Sequence, residues 1–205
     1  MKNLGLLFFY FFTVLSSSGQ IQRDYYPHGV LRAEGNHNSE GLREGEWKYF
    51  YPSGKLNAIE NFHADELDGV VQYFFPEGNL QGREMWRSGT LEDSAWYYYA
   101  NGNKEKFGVY HQGQYEGLWK FYYENGILKR EVFYKDGLPD GKFSAYHETG
   151  KVFQEGGYRS GVEHGMWYFY SEEGILEYSG LYNLGEKTGI WYRYNGNGDK
   201  KRWRY

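Results

Sequence analysis

The chain has no cysteine, and only four of its 205 residues are proline. Without thiols there is no disulfide framework, no thiolate metal site, no cysteine nucleophile and no lipid-modified N-terminal cysteine. Excess positive charge is missing too. The formal net charge is −4, which argues against a nucleic-acid surface and against direct binding to an anionic membrane. From residue 21 onwards no apolar spacing of 3.6 is sustained, so helices should be absent or short. The six histidines (His28, His37, His63, His111, His147, His164) show no metal-ligand spacing. There is no Gly-x-Ser-x-Gly elbow and no phosphate-binding Gly-x-x-x-x-Gly-Lys-Ser/Thr loop. Paired acids such as Glu172-Glu173 and Asp65-Glu66 fall in turn-like segments. The expectation is a non-enzymatic chain with no catalytic residue, no metal and no cofactor.

What the chain has in excess is aromatic residues and glycine together: 44 aromatics, 23 of them tyrosine, and 29 glycines. Glycine at that level is about double the usual ~7%, but disordered linkers do not carry one aromatic in every five residues. An apolar fraction of 40% is enough for a core.

The first residues read as an address. Met1-Lys2-Asn3 carries one positive charge, Leu4 to Leu15 is a nearly unbroken apolar run, and Ser16-Ser17-Ser18-Gly19 supplies small residues before Gln20. This is the pattern of a signal peptide over residues 1–19, because twelve apolar residues fall short of the about 20 that span ~30 Å of hydrocarbon. Cleavage there leaves 186 residues with a net charge of −5. The expected protein is exported, and is periplasmic, envelope-associated or secreted.

The remainder repeats. Glycines stand at Gly54, Gly78, Gly102, Gly126, Gly150, Gly174 and Gly198, seven in a row at a spacing of 24. A second series runs Gly45, Gly69, Gly117, Gly141, Gly165 and Gly189, broken only by Asp93, and a third runs Gly41, Gly89, Gly113, Gly137, Gly161 and Gly185, with Asp65 the exception. Aromatics keep the period: Trp47, Trp119, Phe143, Trp167 and Trp191 form one column, with Val71 and Ala95 as departures, and Phe62, Trp86, Tyr110, Tyr134, Tyr158 and Tyr182 form another. A fixed period marks a repeat architecture. The units are 45–68, 69–92, 93–116, 117–140, 141–164, 165–188 and a partial 189–205, preceded by an irregular N-terminal capping repeat over 20–44.

Within a unit the residues dictate a β-hairpin. Gly117 to Tyr123 is rich in strand formers, Glu124-Asn125-Gly126 is a turn cluster, and Leu128 to Tyr134 returns as a second strand with Leu128, Val132 and Tyr134 expected on one face. Asn-Gly between two such runs is a strong hairpin signal, and the glycine of that slot should adopt φ > 0. Gly137-Leu138-Pro139-Asp140-Gly141 links one hairpin to the next. Alternation places Trp119, Phe121 and Tyr123 on one face, with Lys120, Tyr122 and Glu124 on the other; Glu131 and Glu155 belong to that wet face. One hairpin alone is not stable, but stacked units cover each other's edges. The predicted fold is all-β: an elongated single-layer antiparallel sheet of consecutive β-hairpins, roughly fifteen strands and about 70 Å long.

The unit Gly-x-Trp-x-x-Tyr-Tyr-x-x-Gly-x-Leu, followed by an aromatic and Gly-x-x-x-Gly, resembles the MORN repeat, and more closely its bacterial variant. Gly117-Leu118-Trp119-Lys120-Phe121-Tyr122-Tyr123-Glu124-Asn125-Gly126-Ile127-Leu128 and Glu163-His164-Gly165-Met166-Trp167 match best. The likeness covers about Tyr25 to Tyr205. It implies a scaffold or binding module with no catalytic residues. Some bacterial members of the variant are labelled antitoxins, and eukaryotic MORN arrays are linked to phospholipid binding and membrane junctions. Repeat three departs most, with Asp93, Ala95 and Lys104 where Gly, Trp and Leu are usual, and should be the least regular.

Tyrosines that alternation puts opposite the tryptophans are the candidate binding surface: Tyr98, Tyr122, Tyr146, Tyr168, Tyr170, Tyr192 and Tyr194. The seven-fold glycine column and Trp47, Trp119, Trp167 and Trp191 are the structural positions. The expected function is a protein-binding scaffold, antitoxin- or immunity-like in one form. The alternative is an envelope glycan- or choline-binding module. Choline- and glucan-binding repeats share the aromatic–Asn–Gly look of Trp96 to Gly102, but with a shorter period and without the Gly-x-x-x-Gly connector. The basic run Lys200-Lys201-Arg202 before Trp203 suits an end cap or a partner contact.

Overall fold

The computed structural model describes residues 21–204; residues 1–20, which contain the expected signal peptide, and Tyr205 lie outside the described part. Among the described residues there are nineteen strand segments and no helix. They are β1 (Gln22–Tyr25), β2 (Leu31–His37), β3 (Arg43–Phe50), β4 (Leu56–His63), β5 (Glu66–Leu67), β6 (Gly69–Phe74), β7 (Leu80–Arg87), β8 (Thr90–Leu91), β9 (Asp93–Tyr98) and β10 (Lys104–His111). The series continues with β11 (Gln114–Tyr122), β12 (Leu128–Lys135), β13 (Leu138–Tyr146), β14 (Val152–Arg159), β15 (Val162–Glu163), β16 (Gly165–Tyr170), β17 (Leu176–Asn183), β18 (Glu186–Tyr194) and β19 (Lys200–Trp203).

Each strand pairs antiparallel with its neighbours in sequence, in one open sheet. The pairs β5/β6, β8/β9 and β15/β16 are halves of single strands interrupted at Asp68, Glu92 and His164, so sixteen strands stand side by side. At ~4.8 Å per strand the sheet runs about 70 Å before twist.

Two kinds of turn alternate. In the wide turn, Tyr51 N–H donates to Lys55 O and Gly54 N–H to Tyr51 O, both at 2.8 Å. This is a three-residue loop whose last residue is left-handed. The predicted glycine column occupies that position throughout, with φ between 81° (Gly54) and 104° (Gly78). The tight turn has two residues, both at positive φ, as at Gln112-Gly113 (50° and 75°) and Ser160-Gly161 (48° and 87°). That is the type I′ geometry whose twist matches the flanking strands. The Asn-Gly pairs thus sit in the wide loops, where only the glycine is left-handed, and the sharper reversal falls in the connector.

Both edges of the stack are stitched by the backbone. At the tight turns, Asp65, Gly89, Gly113, Gly137, Gly161 and Gly185 donate N–H to Arg43, Leu67, Leu91, Tyr115, Pro139 and Glu163 of the preceding unit, at 2.8–3.1 Å. At the wide turns, tyrosine hydroxyls donate to carbonyls of the following unit: Tyr26 to Phe50, Tyr51 to Phe74, Tyr99 to Tyr122 and Tyr123 to Tyr146, at 2.7–2.8 Å. Part of the tyrosine excess is therefore architectural.

Three expectations are corrected. Leu128 does not share the face of Val132 and Tyr134: an irregularity in the register between Leu128 and Arg130 pairs it with Tyr122, on the opposite face. The 20–44 segment is not irregular: β1 and β2 form a hairpin with the usual wide turn, Gly29 at φ 85°. Its one extra residue is absorbed in the next connector, where Asn38 to Leu42 makes a three-residue loop capped by Asn38 Oδ1, which accepts from the N–H groups of Glu40 and Leu42. Repeat three is regular as well. Asp93 takes the left-handed conformation of the missing glycine (φ 65°), and its carboxylate accepts from Ser94 N–H and Oγ–H at 2.6 and 2.8 Å. A short polar side chain that bonds locally is what tolerates this conformation.

The core lies on one face. Trp47, Val71, Ala95, Trp119, Phe143, Trp167 and Trp191 are all buried. Beneath each tryptophan, on the preceding strand, lies a glycine: Gly35, Gly108, Gly156 and Gly180, where a Cβ would overlap the indole ring. Each indole N–H is tied to the carbonyl one residue further on, Trp47 to Asn36, Trp119 to Val109, Trp167 to Gly157 and Trp191 to Leu181, at 2.9–3.3 Å. The departures in the tryptophan column follow the same volume rule. Phe143 pairs with Val132, and the small Val71 and Ala95 stand beside Glu60 and Glu84, which hold the equivalent positions at a spacing of 24. Interiors are filled to near-crystal density, so the two columns exchange volume.

Candidate functional site

The tryptophan face is self-sealed, which leaves the opposite face to be built up residue by residue. The predicted tyrosines Tyr98, Tyr122, Tyr146, Tyr168, Tyr170, Tyr192 and Tyr194 are all half-buried rather than freely exposed. Several hydroxyls are engaged by the preceding hairpin. Tyr170 donates to Glu155 Oε1 at 2.6 Å, and Tyr194 shares a 2.9 Å bond with Ser179 Oγ. Burial, and then Glu155 itself, raise the Tyr170 hydroxyl above its ordinary pKa. Tyr122 stacks on Phe107 with ring centroids 6.1 Å apart, and Lys200 Nζ lies 4.4 Å from the Tyr192 ring centroid. The predicted residues are brought to one face but form rows along it, not a pocket.

Beside them runs a feature absent from the sequence prediction. Positions flanking the tryptophan column point to the same outer face and are apolar and exposed: Val109 41%, Leu118 37%, Phe133 42%, Met166 45%, Leu181 41% and Ile190 46%. They fall on β10, β11, β12, β16, β17 and β18. Between the two triplets lie only Lys142 on β13 and Gly157 on β14, which pair with each other. A single exposed apolar side chain is ordinary, but two apolar triplets in one row, parted only by Lys142 and Gly157, make an exposed patch of the kind that marks interaction sites. The signal was in the sequence, since 118, 142, 166, 190 and 109, 133, 157, 181 are two more columns of period 24; glycines and tryptophans drew attention away from them.

The tryptophan face carries one polar departure. Glu84 is buried, accepting from Tyr97 Oη at 2.6 Å and from Trp86 Nε1 at 2.9 Å. Burial raises the Tyr97 and Tyr73 hydroxyls far above their ordinary pKa, with Glu84 adding to both shifts. Glu60 is also raised by burial, against the lowering effects of Arg43 and a hydrogen bond from Tyr49. Its neighbour Arg43 packs over the Phe62 ring, 3.8 Å from the centroid. Among the described residues no group of three or more His, Asp or Glu is placed to hold a metal ion. The two carboxylates fill space left by small residues and are satisfied there.

A family model described as MORN repeat variant matches residues 43–64, 67–87, 115–136 and 139–159. The chain is a MORN repeat protein. MORN repeats are commonly protein- or membrane-lipid-interaction modules and generally carry no enzymatic activity. The matched segments leave out residues 88–114, yet the MORN hairpin continues there with the register of its neighbours, because Asp93 substitutes conformationally for glycine. No curated protein gives a significant match. One solved structure that the chain resembles is a protein of unknown function from Bacteroides fragilis, at 10% identity over 91% of each chain, with a TM-score of 0.13.

Proposed function

We propose that this MORN repeat protein is an exported, non-enzymatic scaffold that binds a protein partner on the face opposite its tryptophans, with immunity against an exported toxin as its most specific form. The observation that carries this reading is the exposed apolar stripe Val109, Leu118, Phe133, Met166, Leu181 and Ile190. Burial of such area drives protein association. The signal-peptide pattern of residues 1–19 supports export. A glycan or choline ligand would call on free tyrosine faces and hydroxyls, whereas the hydroxyls of Tyr170 and Tyr194 are already bonded within the sheet and Lys200 lies over the Tyr192 ring.

The test is affinity capture from envelope extracts with the wild type and with a Leu118→Lys/Leu181→Lys variant. Both side chains are surface-exposed, so the variant should fold. The expected result is protein retained by the wild type and lost by the variant, with no elution by soluble glycan or choline. Retention that ignores the stripe, or release by glycan or choline, would overturn the reading.

A further inference from the structure

The stripe has an internal symmetry. Read across the strands from β10 to β18, its residues are Val109, Leu118, Phe133, Lys142, Gly157, Met166, Leu181 and Ile190, so two apolar triplets lie at equal distances from the Lys142–Gly157 pair. A two-fold axis along the strands, between β13 and β14, reverses this order on a facing copy. It sets Phe133 against Met166, Leu118 against Leu181 and Val109 against Ile190. The one charge in the row, Lys142, then lies over Gly157, which has no side chain to oppose it.

The adjacent rows of the same face obey the same operation. In the next row towards the wide turns, Phe107 meets Tyr192, Trp96 meets Arg202, Lys120 meets Ser179 and Glu131 meets Tyr168. One row further the same way, Tyr122 meets Leu176, Leu128 meets Tyr170, Lys104 meets Tyr194 and Tyr98 meets Lys200. Among these pairs no like charges oppose each other, and three cations meet aromatic rings, a favourable arrangement. An isologous interface demands this self-complementarity, in which residue i touches j and j touches i. Eight strands at ~4.8 Å by about 25 Å of strand give a footprint near 900 Å² per copy, against about 800 Å² in a standard stable interface.

Resting on the reading of this face as a protein-binding surface, we infer that its partner is a second copy of this chain: two sheets pack face to face across the stripe as a two-fold dimer, and the tryptophan faces point outward. Sheets packed this way are a common architecture.

The absence of cysteine makes the register testable. In a Phe133→Cys/Met166→Cys variant the two thiols of one chain are three strands apart, roughly 14 Å, too far for a disulfide within the chain, but each faces its counterpart in the other copy. Sedimentation of the purified protein should give twice the monomer mass, and a short bis-methanethiosulfonate cross-linker, which bridges thiols across the ~10 Å between packed sheets, should join the variant into a covalent dimer on a non-reducing gel. A Val109→Cys/Met166→Cys control, out of register by two strands, should cross-link at least tenfold less. Leu118→Lys/Leu181→Lys should weaken dimerisation at least 100-fold with an unchanged circular dichroism spectrum. A monomer at 100 µM, a dimer insensitive to the lysine variant, or equal cross-linking of the control would each overturn the dimer. If the wild type is monomeric and the lysine variant still loses a captured foreign protein, the dimer fails and the binding face stands; if the lysine variant alters neither, both fail.

Discussion

At the residue scale the left-handed positions show where local chemistry and fold disagree. Leu184 sits at φ 50° in the tight turn before Gly185 and is 62% exposed. The Cβ of an aliphatic side chain resists this conformation with nothing to offset it, whereas the short polar side chain of Asn offsets it by bonding locally. Leu184→Asn is expected to raise unfolding stability by up to about 1 kcal/mol in chemical denaturation, and a loss of stability would show that the leucine makes a compensating contact. Glu60 offers a second test. Burial raises its pKa above 4.5 in the folded chain, so the folded state binds this proton more tightly than the unfolded state. Stability from this group is present below pH 4.5 and is lost as pH rises through the raised value. Glu60→Gln mimics the neutral form. Its melting temperature should exceed the wild type's most at pH 7, with the gap closing towards pH 4.5; a gap that widens on acidification would contradict the burial argument.

At the scale of the hairpin, what was legible in the sequence was whatever recurs in a residue type with one dominant use. The wide-turn glycines and the tryptophan column could be placed because positive φ and strand alternation leave few alternatives. The glycines beneath the tryptophans were not recognised, since Gly108, Gly156 and Gly180 are interrupted by Val132 and, earlier, by Glu60 and Glu84. The rule that links them is one of combined volume between two strands, and a single column does not display it. Gly156→Val should therefore destabilise by about 1–3 kcal/mol through overpacking against Trp167. Adding Trp167→Phe should recover most of that loss, since Val132 under Phe143 is the same pair one unit earlier. Simple addition of the two single effects would refute the exchange of volume. Repeat three teaches a related lesson. Asp93 looked like a break because glycine was missing, yet the backbone requires a conformation and not a residue.

At the scale of the whole molecule, sixteen strands in sequence order make an array in which every unit touches only its neighbours, the hallmark of a solenoid. The period of 24 made this architecture readable. The outer face was only partly readable: alternation puts Tyr98, Tyr122, Tyr146 and Tyr170 there, but all four are half-buried, and the bond from the Tyr170 hydroxyl to Glu155 of the preceding hairpin is one that no column reveals. The exposed stripe beside them is where the outer face remains uncovered.

The measurement that tests the central claim most directly is small-angle X-ray scattering on the Leu118→Lys/Leu181→Lys variant, in which association through the stripe is removed. A compact globule of this length has a radius of gyration near 16 Å. An open sheet of stacked hairpins about 70 Å long should exceed ~20 Å, with the scattering profile of a rod. A value near 16 Å would contradict the open solenoid and, with it, the uncovered face on which the functional reading stands.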